Sequence, residues 1–129
     1  MVVDDDDTMR AGLRRALHEE GWQVTEAENG RVALARLAQS QPDVIVVDLM
    51  MPEIDGFDLL DALRSDGQWR EIPVLVLTAK DLTDEDRARL NGGIERILQK
   101  RGRQEMLPEV LDVLNRCIER RRGESVAVP

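Results

Sequence analysis

Short apolar runs alternate with amphipathic stretches five times along the 129 residues, and few folds accept that alternation. The runs are Met1-Val2-Val3, Trp22-Gln23-Val24-Thr25, Val44 to Val47, Pro73 to Leu77 and Ile94 to Leu98. The third and fourth are nearly unbroken and rich in Val and Ile, as strands covered on both faces are. Strand then helix, repeated, implies right-handed crossovers and a parallel sheet with helices on both sides.

The intervening stretches read as helices with identifiable ends. Met9, Leu13, Ala16 and Leu17 recur at three and four residues, and Gly21 follows as a left-handed stop. Asn29 is placed to cap a second helix that buries Ala33, Leu34, Leu37 and Ala38 before Pro42. Phe57, Leu60 and Leu63-Arg64 outline a third. Thr83 and Asp86 stand at capping-box spacing before a fourth, which Asn91-Gly92-Gly93 should end. Leu107, Val110, Leu111, Leu114, Cys117 and Ile118 form the stripe of a fifth, with Arg120 to Arg122 suiting its negative end. Pro108 should start that helix or kink its first turn. One domain over residues 1–121 is expected, with residues 122–129 as a frayed tail.

Composition narrows the function. One cysteine, Cys117, excludes a disulfide framework and suits a reducing compartment, so a cytoplasmic location is expected. No apolar run approaches the ~20 residues that span a bilayer. A net charge of −8 excludes a broadly basic nucleic-acid binder, and neither nucleic acid nor membrane insertion is expected. The acidic excess lies in residues 1–64 and includes the run Asp4, Asp5, Asp6 and Asp7. Lysine is scarce among the 18 basic residues, and Lys80 and Lys100 therefore draw notice.

In an open parallel sheet, ligands bind at the carboxyl ends of the strands. Polar groups interrupt the apolar pattern there: Asp4-Asp5 after the first strand, Asp48 after the third, Thr78 after the fourth and Lys100 after the fifth. Two carboxylates about 5 Å apart repel by roughly 3 kcal/mol at an effective dielectric of 20. Grouping three therefore calls for a proton or a cation, and Mg²⁺ characteristically takes one or two carboxylates and keeps waters. An aspartate beside such an ion can attack phosphorus, while the ion, a lysine and a hydroxyl neutralise the phosphoryl oxygens.

Val2-Val3-Asp4-Asp5, Asp43 to Asp48 with Leu49-Met50-Met51-Pro52, Asp55-Gly56, Leu77-Thr78-Ala79 and Lys100 together resemble the receiver domain of two-component response regulators. The likeness covers Met1 to about Arg121, and its motifs are specific as an ordered set. It implies a flavodoxin-like, doubly wound α/β fold: five parallel strands in the order 2-1-3-4-5, with five helices. It implies Asp48 as phosphoacceptor, and Mg²⁺ held by Asp5, Asp48 and the Met50 backbone carbonyl, with Asp4 acting through a water. Thr78 and Lys100 would engage the phosphoryl group, Ala79 would leave it room, and Met50 and Lys80 would tune its lifetime. The donor would be a histidine kinase or a histidine phosphotransfer protein, and the output partner a protein of unknown identity. The chain would catalyse nothing beyond its own phosphorylation and dephosphorylation, as a monomer or weak dimer. Receivers usually follow the lysine with proline, where this chain has Arg101-Gly102. They usually carry Tyr or Phe at the place of Ile97, so an aromatic readout is not expected. Thr78 to Thr83 and Ile97 to Gly102 look more like receivers of hybrid sensor kinases than of DNA-binding regulators. The abrupt first strand likewise hints at a domain cut from one.

Simpler readings suit several residues. Asp6 and Asp7 should cap the first helix. His18 and Lys80 should be solvated, Cys117 should be core, and Trp22 and Trp69 should be packing residues or surface anchors rather than a base-stacking platform. Other function classes are weaker. A haloacid-dehalogenase-type phosphohydrolase wants a second acid where Met50 stands. A flavin or nucleotide carrier wants a phosphate-cradling loop where four aspartates stand. A degenerate, binding-only receiver is argued against by the intact acids, Thr78 and Lys100.

Overall fold

A computed structural model describes residues 1–51, 54–90, 94–100 and 103–126. The strands are β1 (Val2–Val3), β2 (Glu26–Ala27), β3 (Ile45–Val47), β4 (Val74–Thr78) and β5 (Ile94–Gln99). The helices are α1 (Asp7–Glu19), α2 (Gly30–Leu37), α3 (Gly56–Ser65), α4 (Asp84–Leu90) and α5 (Arg103–Val126). All pairings are parallel and the order is β2-β1-β3-β4-β5, as expected. Pro52, the Asn91-Gly92-Gly93 stop, Arg101-Gly102 and the side chains of Arg120 to Arg122 lie outside the described residues.

The period-two pleat divides the strand residues between two cores. Val3, Ile45, Val47, Val74 and Val76 face one side, where Ala33 and Leu37 of α2, Phe57, Leu59, Leu60 and Leu63 of α3, and Leu90 of α4 cover them. Val2, Val46, Leu75 and Leu77 face the other, under Leu13 and Leu17 of α1 and Met106, Val110, Leu114 and Cys117 of α5. The two-sided burial of β3 and β4 explains their unbroken apolar runs.

The helix starts follow capping chemistry. The Asp6 carboxylate accepts from the Thr8 and Met9 amides, Asn29 from Val32, and Asp55 from Asp58. Thr83 and Asp86 close the expected box in both directions. Gly21 ends the α1 turn at φ +90°, where a side chain would strain the backbone.

Three expectations shift. The second strand forms at Glu26–Ala27, past the apolar run. Val2 donates to the Thr25 carbonyl and Asp4 to that of Ala27, whereas Trp22 and Val24 serve as packing against the second core. Pro108 lies inside α5, which already starts at Arg103. The same helix runs on to Val126, beyond residue 121 where a tail was expected, because a formed helix gains one bond for each residue added.

Candidate functional site

The carboxyl ends of β1, β3, β4 and β5 converge on one rim. β1 delivers Asp4 and Asp5: the Asp4 amide makes a last ladder bond to Ala27, and the chain then turns into the Asp6 cap. The Asp4 side chain is buried, its Oδ1 accepting from the Asp6 amide at 2.9 Å. Asp5 is exposed. β3 delivers Asp48, 5% exposed, whose amide bonds the Val3 carbonyl and so locks the two acid-bearing strand ends side by side. Its Oδ1 accepts from the Met50 amide at 3.2 Å. Carboxylate oxygens of Asp4, Asp5 and Asp48 lie within 4.8 Å of one another.

Lys100 enters this group from β5. Its Nζ stands 2.7 Å from Asp4 Oδ2 and 2.9 Å from Asp48 Oδ2, and its amide donates to the Thr78 carbonyl at 2.8 Å. Thr78 is fully buried; its Oγ1 accepts from the Lys80 amide at 3.1 Å and keeps a hydroxyl proton to donate. Ala79 and Met50 are exposed beside it, Met50 at 56%. Every residue singled out at the strand ends is thus brought to this rim.

Electrostatics leave the rim short of positive charge. Burial raises the Asp48 carboxyl above its ordinary value of 3.8, and the charge of Asp4 adds to it, against the pull of Lys100 and the Met50 amide. Burial alone would lower Lys100, but its bonds to Asp4 and Asp48 prevail and raise it above 10.5. One ammonium faces three carboxylates. A divalent cation would supply the missing charge, and the donor set offered here is all oxygen, as a hard cation requires.

Two residues escaped the sequence reading. Gly56 was noted without a role; a Cβ there would lie 2.4 Å from the Asp48 carbonyl oxygen and 2.6 Å from Leu49 Cα. Only glycine lets α3 begin against this strand end, and its amide bonds the Leu49 carbonyl. Arg10 reaches the Asp4 carbonyl, which no motif signalled. Lys80, expected in solvent, instead pairs with Asp86 at 2.8 Å and lies 5.5 Å from the Phe57 ring centre. Ile97, at the usual aromatic position, is half-buried against the first core.

The sequence profile of the response regulator receiver domain matches residues 1–112. The chain belongs to that family. Response regulator MprA of Mycolicibacterium vanbaalenii is 40% identical to this receiver over 130 residues, 99% of this chain and 55% of the relative. The receiver chain thus spans about half the length of the relatives it matches. Chemotaxis protein CheY4 of Vibrio cholerae is 31% identical with a TM-score of 0.76, over 86% of this chain and 92% of that one. The signal receiver domain of a signal transduction histidine kinase from Syntrophus aciditrophicus is 33% identical with a TM-score of 0.75, over 88% and 87%. Phosphoacceptor signalling in a two-component system is the function of such a receiver. Receivers bind a divalent metal in an acidic pocket, and Asp4, Asp5 and Asp48 form one here. The phosphohydrolase and carrier readings are set aside. No helix among the described residues is long and apolar enough to cross a membrane.

Proposed function

We propose that Asp48 accepts a phosphoryl group from a phosphohistidine of a histidine kinase or phosphotransfer protein, in a Mg²⁺-dependent step. An Asp48 carboxylate oxygen attacks phosphorus as the P–N bond breaks, and the imidazole departs with its electron pair and takes up a proton. Asp5, Asp48 and the Met50 carbonyl would hold Mg²⁺, which supplies charge to offset that on the phosphoryl oxygens. Asp4, with an oxygen each committed to the Asp6 amide and Lys100, suits an indirect role through water. Lys100 stays beside the acceptor and would pair with a phosphoryl oxygen, moving off Asp48 Oδ2. The buried Thr78 hydroxyl would donate to another, and Ala79 leaves the approach open. Breaking the Thr78–Lys80 bond would then move the loop after β4 and bias the surface that an output protein reads.

The chain acts catalytically only on its own Asp48, works in the cytoplasm as a monomer or weak dimer, and signals through protein contacts rather than nucleic acid. The observation that carries this reading is Lys100 bonded at once to Asp4 and Asp48, beside Asp5. Intact-mass measurement after incubation with acetyl phosphate tests it. One labile phosphoryl adduct is expected, lost with a chelator and absent from D48N. An unmodified mass in a folded protein would mark a binding-only receiver, and adducts persisting in D48N would move the acceptor elsewhere.

A further inference from the structure

Arg10 is the fourth residue of α1, in a first turn where the helix dipole disfavours a cation. Its side chain is nevertheless drawn in, 15% exposed, and tied to three elements. Nη1 donates to the Asp4 carbonyl at 2.6 Å, Nη2 to Asp7 Oδ1 at 2.5 Å, and Nε lies 3.3 Å from Glu26 Oε1. The end of β1, the start of α1 and the edge strand β2 therefore meet at one planar fork, which a lysine cannot reproduce. Arg14, one turn on, also approaches Glu26, at 3.6 Å, but is 55% exposed. The contact that sets Arg10 apart is with the peptide that links Asp4 to Asp5.

We infer that Arg10 is a positioning residue for the divalent-cation site, fixing the Asp4–Asp5 peptide so that both carboxylates stand at the rim. This rests on the metal reading above. The Asp4 carbonyl leaves the sheet at the last rung of β1, and the guanidinium takes the place of a ladder donor. Without it, the Asp4–Asp5 peptide can rotate and carry the Asp5 carboxylate away from Asp48. Groups of this kind, one bond behind the ligands, commonly alter metal affinity by about tenfold or more when removed.

The sign of the effect separates positioning from charge. Removing a nearby cation should tighten Mg²⁺ binding if Arg10 contributed charge alone, and loosen it if Arg10 holds the loop. Titration of the whole chain with Mg²⁺ alone, followed by amide shifts in ¹H–¹⁵N spectra, reads this without phosphorylation. R10Q is expected to weaken Mg²⁺ by about tenfold, R10K to recover part of the loss, and R14Q to leave affinity unchanged. R10K keeps the charge and loses the planar fork, so charge alone predicts unchanged binding in it and positioning predicts weaker binding; it carries the test if R10Q unfolds. Unchanged or tighter binding in R10Q, or in R10K in that event, overturns the inference. If the unaltered chain takes up no Mg²⁺, the metal reading itself fails, and this inference with it.

Discussion

Two clusters of charge in this receiver each set two aspartates around one basic side chain, at opposite depths. At the rim, Asp4, Asp48 and Lys100 are nearly cut off from water, and their charges do not balance. On the α3–α4 face, Asp58, Asp61 and Arg89 stand about half exposed, with Arg89 at 4.0 and 3.1 Å from the two acids and 4.5 Å from the Phe57 ring centre. Water screens the second cluster, so its ion pairs contribute about 0–1 kcal/mol each. Its firmer contribution is Arg64, which donates to the Arg89 and Leu90 carbonyls and so satisfies acceptors that the end of α4 leaves open. Depth decides which cluster is chemistry and which is scaffolding: a buried group with an excess of negative charge has use for a cation, and a solvated one, screened by water, has none.

Perturbing the rim should have the largest effect. K100M leaves buried carboxylates facing one another, and urea unfolding without metal should show a loss of about 3–5 kcal/mol. Added Mg²⁺ should return a larger share of stability to K100M than to the unaltered chain; equal gains would contradict the account. G56A comes next. Its Cβ meets backbone that cannot yield, so about 3 kcal/mol should be lost in the same measurement, and unchanged stability would show that α3 can back away from Asp48. On the exposed face, R64Q should cost about 1 kcal/mol, with Mg²⁺ affinity unaltered.

The smallest effect is D86N. The Lys80 bond and the Thr83 amide hold the Asp86 carboxyl below its ordinary 3.8. A carboxyl depressed in the folded state stabilises above its unfolded value and loses that contribution as pH falls through the folded one. The stability difference between D86N and the unaltered chain should therefore be slight at neutral pH and shrink below pH 3.8. A difference that grows on acidification would contradict the Lys80–Asp86 pairing.

The same contrast separates what could be read in the sequence from what could not. β3 and β4 were legible because burial on both faces demands unbroken apolar residues. The Asp4–Asp7 run could be divided because a helix start accounts for Asp6 and Asp7 but not for two acids at a strand end. Thr83 and Asp86 were legible because their bonds are local in sequence. β2 was misplaced because an edge strand of two residues is defined by backbone pairing, which side-chain pattern does not report. Arg10 was missed for a like reason: its decisive partner is a backbone carbonyl, and every residue has one. Lys80 was misjudged because its partners, Asp86 and Phe57, meet it only once α3 and α4 pack together. Gly56 was visible as a letter, while the clash it avoids exists only in three dimensions.

The central claim concerns one carboxylate, and chemical trapping addresses it most directly. After brief treatment with acetyl phosphate and Mg²⁺, borohydride reduces an aspartyl phosphate to homoserine, which peptide mass spectrometry can locate. Homoserine at position 48 alone, dependent on Mg²⁺, is the predicted result. Homoserine at position 4 or 5, or at 48 without any need for a divalent ion, would contradict it.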